Sequence, residues 1–267
     1  MTACCSGYHI GRTLVLLVAF AAGCSGTSDG PSTGGDDDDD DGGGTSEPTL
    51  PAVCEEPAEV ACLDEMISDL SFQDTVVDAE VSDTIDGADF VTFVDATAGG
   101  FGNETSSPWT YLRFTEDGAQ KVEIDDEAAM ESMEWHLAAR RFILRLNGGS
   151  SGPSCVGAAP FLEKSYDELT EIPDDVTFAQ DDYYTSDCTL INDSSGLEGS
   201  PQVALGAWWE YPGCVATTDV PFLVQLEDGH VIKLRVEQYY TDQQGCNDNN
   251  VPSGESANFL IRWTFLR

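Results

Sequence analysis

From residue 76 onward, apolar residues recur in short alternating or unbroken runs, the spacing of strands rather than of helices. The runs cover 76–85, 90–96, 109–115, 119–124, 135–146, 203–211, 222–226, 231–240 and 259–266. Three neighbouring pairs are joined by Asp86-Gly87, Asp117-Gly118 and Asp228-Gly229. Asp-Gly accepts the positive φ angles that tight hairpin turns impose, so each pair predicts an antiparallel hairpin. Many strands at this spacing predict an all-β antiparallel sandwich or open barrel. Helix signals are confined to 61–70, 163–170 and 125–133, the last with an acidic start and Met130 and Met133 three apart. Segments 147–190 and 192–201 are loop-rich, and loops are where binding residues concentrate.

The first sixty residues do not fit this pattern. Arg12 precedes an apolar run at 13–23 with no acidic residue before Cys24, which predicts an export signal. The run falls short of the ~20 residues needed to cross a bilayer. Ala22-Gly23-Cys24 supplies the small residues of a lipoprotein cleavage site, so 1–23 is expected to be removed and Cys24 acylated. Residues 24–60 are rich in Gly, Ser, Thr, Pro and acid, including six aspartates at 36–41, and predict a self-repelling tether. The folded domain is then expected at 61–267.

Charge and cysteines narrow the partners. From Ala61 onward there are 38 Asp and Glu against 10 Lys and Arg. Such a surface repels nucleic acid, which excludes that class of partner, and leaves the acylated Cys24 as the expected contact with the lipid membrane. The cysteines after Cys24 are an even set, Cys54, Cys62, Cys155, Cys188, Cys214 and Cys246, which can close completely in an oxidising compartment. The register of the Asp228-Gly229 hairpin predicts Cys214 bonded to Cys246; sequence proximity then suggests Cys54 with Cys62 and Cys155 with Cys188.

Several strands together resemble one family. They are Trp109-Thr-Tyr-Leu-Arg-Phe114, the stretch from Trp135 through Arg140-Arg141 into Asn147-Gly148-Gly149, the strand from His230 to Tyr240, and the closing Phe259-Leu-Ile-Arg-Trp263. Over about residues 75–267 the chain resembles the HmuY family, haemophore-like lipoproteins with an almost entirely β fold. The resemblance implies a non-enzymatic, outer-membrane lipoprotein, facing the periplasm or the surface, that captures haem directly or from a haem-protein donor. The alternative is a lipoprotein of the same fold that has lost haem and serves a structural or protein-interaction role. Two departures bear on the choice: His136 stands where the family usually has Asp, and no His or Met lies between Leu137 and Gly229, where family members draw iron ligands.

Candidate haem ligands are therefore His136, His230, Tyr183 and Tyr184, with Met130 and Met133 as thioethers. Arg140, Arg141 and Arg145 are candidates for haem propionates, since guanidinium grips carboxylates in a bidentate fork; otherwise they pair with the surplus acids. Gly148-Gly-Ser150-Ser-Gly152 matches the G-x-S-x-G elbow of hydrolases, but that elbow needs a strand leading into a helix, and Pro153 follows here. No enzyme is expected. For the anchor, Cys24→Ala is expected to abolish membrane association, because acyl insertion contributes ~0.8 kcal/mol per buried methylene. Fractionation that still finds the variant with membranes would place the anchor elsewhere.

Overall fold

The computed structural model describes residues 53–266, apart from 99, 101, 103–105, 198, 243, 244, 247–250 and 253. The signal segment and most of the tether, Cys24 included, lie outside the described residues. Residues 53–60, expected to close the tether, are bound to the domain instead: Val53 N–H donates to Glu227 O (2.8 Å) and Ala58 N–H to Pro153 O (2.7 Å).

The helix expected over 61–70 forms as α1 (Leu63–Asp69). The Asp-Gly turns follow: Asp86 faces Asp89 between β1 (Val81–Asp86) and β2 (Asp89–Asp95), and Thr115 faces Gly118 between β3 (Thr110–Thr115) and β4 (Gly118–Val122). In 125–133, α2 (Asp126–Ala129) starts under a cap in which Asp125 accepts from Ala128 N–H. The run 135–146, expected as one strand, is two: β5 (Leu137–Arg140) and β6 (Ile143–Leu146) fold back about Arg141-Phe142, with Arg141 at φ 52°. β7 (Gly157–Pro160) comes next, and 163–170 holds only a 3-10 turn at Tyr166–Glu168, closed by a Ser165–Glu168 capping box.

The strand expected at 203–211 is mostly a 3-10 turn at Gly206–Trp208, because Leu205 and Trp208, three apart, both point into the core. Only β8 (Trp209–Glu210) remains extended, pairing with β9 (Ala216–Thr217). β10 (Phe222–Gln225), β11 (Val231–Tyr240) and β12 (Ser256–Leu266) complete the chain.

Every ladder between these strands is antiparallel. Beside the two-stranded β8-β9 sheet, one large sheet runs β1-β2-β12-β11-β10-β7 and another β4-β3-β5-β6. Alternate residues of both, among them Leu112, Leu137 and Leu146 from one and Ile232, Leu234 and Trp263 from the other, form a single core, so the fold is a sandwich rather than a closed barrel. A second core covers the outer face of the four-stranded sheet, where α1 lays Met66 and Leu70 against Trp109, Tyr111 and Trp135.

Two buried or half-buried carboxylates tie the open edges of the sandwich. Asp83 on edge strand β1 accepts from Ala119 N–H of β4 (2.7 Å) and from the Thr92 hydroxyl. Asp181 accepts from Leu146 N–H at the edge of β6 (3.0 Å), from Ser151 Oγ, and from Ala204 N–H (2.7 Å). Such charges also discourage edge-to-edge aggregation.

The disulfides agree with the hairpin register at Cys214–Cys246 and differ elsewhere: Cys54 bonds Cys155 and Cys62 bonds Cys188. Sequence neighbours are not spatial neighbours here, because the segment ahead of α1 runs across the later loops. The two bridges close loops spanning 101 and 126 residues, each contributing about 4–5 kcal/mol by chain entropy.

Burial raises the Asp181 carboxyl to about 6, against the downward pull of its hydrogen bonds and of Arg145. The native state then holds a proton that the unfolded chain has already released. This contribution to stability is complete below the unfolded carboxyl range and is lost as pH rises through about 6. The urea midpoint of the wild type is expected to fall between pH 5 and pH 7, and to fall less in Asp181→Asn. Equal slopes in the two proteins would reject the assignment.

Candidate ligand-binding cleft

The stretch from Trp135 to Gly152 builds scaffold. Trp135 Nε1 donates to Ala129 O (2.9 Å), fixing α2 against β5. Asn147 donates to Trp135 O (2.8 Å) and Ser132 O (2.9 Å) and accepts from Ser154 N–H (3.1 Å). Gly149 has φ +63°, and a Cβ there would sit 2.1 Å from Asp181 O. Gly152 is as tightly placed, 2.2 Å from Asn147 Oδ1 by the same construction. The hydroxyls of the G-x-S-x-G match serve the fold: Ser150 Oγ accepts from Tyr183 N–H (3.3 Å) and Ser151 Oγ donates to Asp181.

The three arginines part company. Arg145 is wholly buried, its guanidinium 4.2 Å from the Trp109 ring centre and 4.9 Å from that of Phe72, donating to Tyr111 OH (3.2 Å). It cannot reach a ligand. Arg140 also lies over Trp109 (4.5 Å) and donates to the carbonyls of Leu70, Ser71 and Ser107. For Arg145, no carboxylate lies at ion-pair distance among the described residues, unlike the pairing expected from the acidic surplus. Only Arg141, at the turn between β5 and β6, extends away from this core; its Nη2 donates to Ser256 Oγ.

The candidate iron ligands are committed elsewhere. His136 is buried, with Nδ1 accepting from Phe114 N–H (3.0 Å) and Nε2 2.9 Å from Glu227 Oε2. Burial acts to raise the Glu227 carboxyl, but the His136 contact and the Arg113 guanidinium 2.9 Å away bring it below the ordinary range. His230 is a half-buried turn residue, its Nδ1 3.1 Å from Asp228 Oδ2. The two imidazoles thus serve two different carboxylates. Tyr183 is buried against Ser151 Oγ (2.9 Å), and Tyr184 donates to Asp69 Oδ2 (3.1 Å). Burial raises both phenols above their usual range, and Asp69 adds to this at Tyr184, so phenolate is disfavoured. Met130 is buried in the second core and Met133 half-buried.

An open cleft of about 680 Å³ lies at the Arg141-Phe142 turn, within the size range of small-molecule sites. Bulges in the β11–β12 ladder between Val236 and Tyr240, with Ala257 at φ 68°, bend this end of the larger sheet. Tyr239 and Tyr240 then line the cleft with Tyr211, Phe142 and the Cys214 half of its disulfide. Tyr240 OH accepts from Val215 N–H (3.1 Å), which holds its ring. The turn places positive φ at its first residue, a glycine niche, and an arginine there costs about 1 kcal/mol. A second depression of about 730 Å³ lies beside α1, but Glu59, Asp64, Glu65 and Glu131 surround it and no basic side chain lines it. Sequence reasoning placed Tyr239-Tyr240 in a strand and missed the cleft; the one available signal is that adjacent tyrosines break the in-out alternation of β11.

The model of the HmuY protein family matches residues 105–252. No curated protein matches the chain. Among solved structures, an HmuY-like protein of Bacteroides vulgatus, named as a candidate for haem binding, is 17% identical and covers 66% of this chain and 91% of its own, with a TM-score of 0.40. The apo HmuY analogue of Tannerella forsythia is 14% identical, covering 72% and 98%, with a TM-score of 0.37.

Replacing His136 by alanine would strand Phe114 N–H and leave the Glu227 carboxylate without its buried partner. His136→Ala is expected to cost roughly 2–4 kcal/mol in urea denaturation while leaving any haemin spectrum unchanged. A stable variant with an altered spectrum would reverse this assignment.

Proposed function

Since the chain belongs to the HmuY family, we propose that it is an exported, lipid-anchored binding protein without enzymatic activity, whose ligand site is the cleft at the Arg141-Phe142 turn. The observation that carries this reading is the cleft itself, an aromatic-lined opening with Arg140 and Arg141 in its lining, in a strongly acidic domain. Its anchor is Cys24, at the outer membrane, and the tether sets the domain's reach.

Haem is the ligand that the family resemblance implies, and the residues here fit it in part. Tyrosine rings and a guanidinium suit a flat, carboxylated macrocycle. The iron is not met: both nitrogens of His136 are taken up within the sandwich, and His230 sits on the β10–β11 turn against Asp228. This reading therefore has no step through an axial histidine. The commitment of His136 to the scaffold also favours a second reading, in which the fold serves a protein-interaction role without a small ligand.

Haemin titration of the purified, soluble domain followed by absorbance separates them. Saturable binding without a low-spin six-coordinate spectrum is expected. A tight low-spin complex lost in both His136→Ala and His230→Ala would overturn the reading, and no saturable binding of any flat aromatic would leave the interaction role.

A further inference from the structure

We infer that the cleft is an anion-recognition site built on Arg141, and that it takes flat aromatic carboxylates without using a metal. The inference rests on the cleft being the ligand site and names what that site selects.

Arg141 stands apart from the other cations. In a domain with 38 acidic and 10 basic side chains, the other described arginines each have a carboxylate or an aromatic face as partner, Arg145 lying over Trp109 and Phe72 and Arg140 over Trp109. Arg113 has Glu227 at 2.9 Å, Arg235 has Glu237, and Arg262 is ringed by Glu237, Asp86 and Asp89 within 3.2 Å. Arg141 has no carboxylate at ion-pair distance among the described residues. Its guanidinium donates to the neutral Ser256 hydroxyl. Only 8% of the residue's surface is exposed, so the charge is largely removed from water without a counter-charge. A buried cation left in this state is stabilised by an anion supplied from outside.

The backbone adds an independent observation. Arg141 holds φ 52° at a turn position suited to glycine, and its N–H is pinned to Ala96 O (3.0 Å). Ala257, next to Ser256, is also left-handed at φ 68°. Residues kept in such conformations cluster at ligand clamps. Glycine would relieve the turn, but it would remove the guanidinium.

The surroundings specify the rest of the ligand. Tyr211, Tyr239, Tyr240 and Phe142 line the same cleft as Arg141, which suits a planar aromatic body. Asp69, a carboxylate that also lines the cleft, is engaged by the Tyr184 hydroxyl and would repel a second anionic group placed near it. No imidazole, thioether or free thiol is among the lining residues, so nothing there requires a metal.

Calorimetric titration with 2-naphthoate, neutral 2-naphthamide and metal-free protoporphyrin IX tests this. The acid is expected to bind at least about tenfold tighter than the amide, a difference of ~1.4 kcal/mol. Arg141→Gln and Arg141→Gly should reduce the acid to the level of the amide and leave the amide unchanged, while Arg141→Lys keeps part of the difference. Arg141→Gly keeps the variant set falsifiable, since glycine suits this turn and should melt no lower than the wild type. If the ligands bind but acid and amide bind alike, or Arg141→Gln holds the acid as the wild type does, the inference fails and the cleft remains the ligand site. If the porphyrin is not bound while 2-naphthoate still depends on Arg141, the inference stands and the cleft takes only smaller ligands. If none of the three binds, both the inference and the reading of the cleft fall.

Discussion

Arg145 carries a full charge with none of its surface exposed, and the second core is arranged around that fact. Burying an ion costs several kcal/mol unless its surroundings replace water. Here Trp109, Phe72 and Trp135 present their rings, Tyr111 accepts a hydrogen bond, and Asp126 and Asp181 supply nearby negative charge. Each compensating group then fixes another part of the chain. Asp126 accepts from Trp109 N–H and Gln73 N–H (both 2.9 Å), docking the segment after α1. Asp181 joins β6, Ser151 and Ala204. Trp109, held in this way, is also the platform for Arg140.

The most distinctive stretch of sequence is therefore spent on stability, and the proposed ligand cleft opens where that network ends. Arg140 and Arg141 are consecutive, yet strand alternation sends the first back to Trp109 and the hairpin turn carries the second outward to Ser256 and the cleft. The same turn that ends β5 thus positions the cation at the rim. On the other wall, bulges in the β11–β12 ladder let two adjacent, largely buried tyrosines both line the cleft, where a regular strand would have placed them on opposite faces. Cys214–Cys246 ties that wall to the loop beyond β11. Rigid elements on each side meet the requirement that a binding site be held by its supporting shell.

Much of the fold was legible because its signals are local. Asp-Gly pairs specify turns within four residues, and all three hairpins form at them with β11 at 231–240 as read. Where the deciding contact is distant, the sequence misled. Arg141-Phe142 carries no glycine, so the hairpin between β5 and β6 looked like one strand. Leu205 and Trp208 look strand-like in a run of apolar residues, but both reach the core from a single turn. Cys54 and Cys62 find partners more than a hundred residues away, which proximity along the chain cannot indicate. For the site, a histidine between Trp135 and Leu137 reads as outward-facing by strand alternation; both faces of the four-stranded sheet are covered, so His136 is buried instead and finds partners within the fold. Arg141 was named among the candidates, but nothing local separated it from Arg140 and Arg145.

On the reading proposed above, ligand recognition sits at the Arg141 turn and leaves the histidines in the scaffold. A crystal structure of the domain grown with haemin tests it most directly. The account predicts the porphyrin between Arg141 and the tyrosines, with a carboxylate on the guanidinium and His136 still bridging Phe114 N–H and Glu227. Iron coordinated by His136 or His230, with the Arg141 cleft vacant, would contradict it.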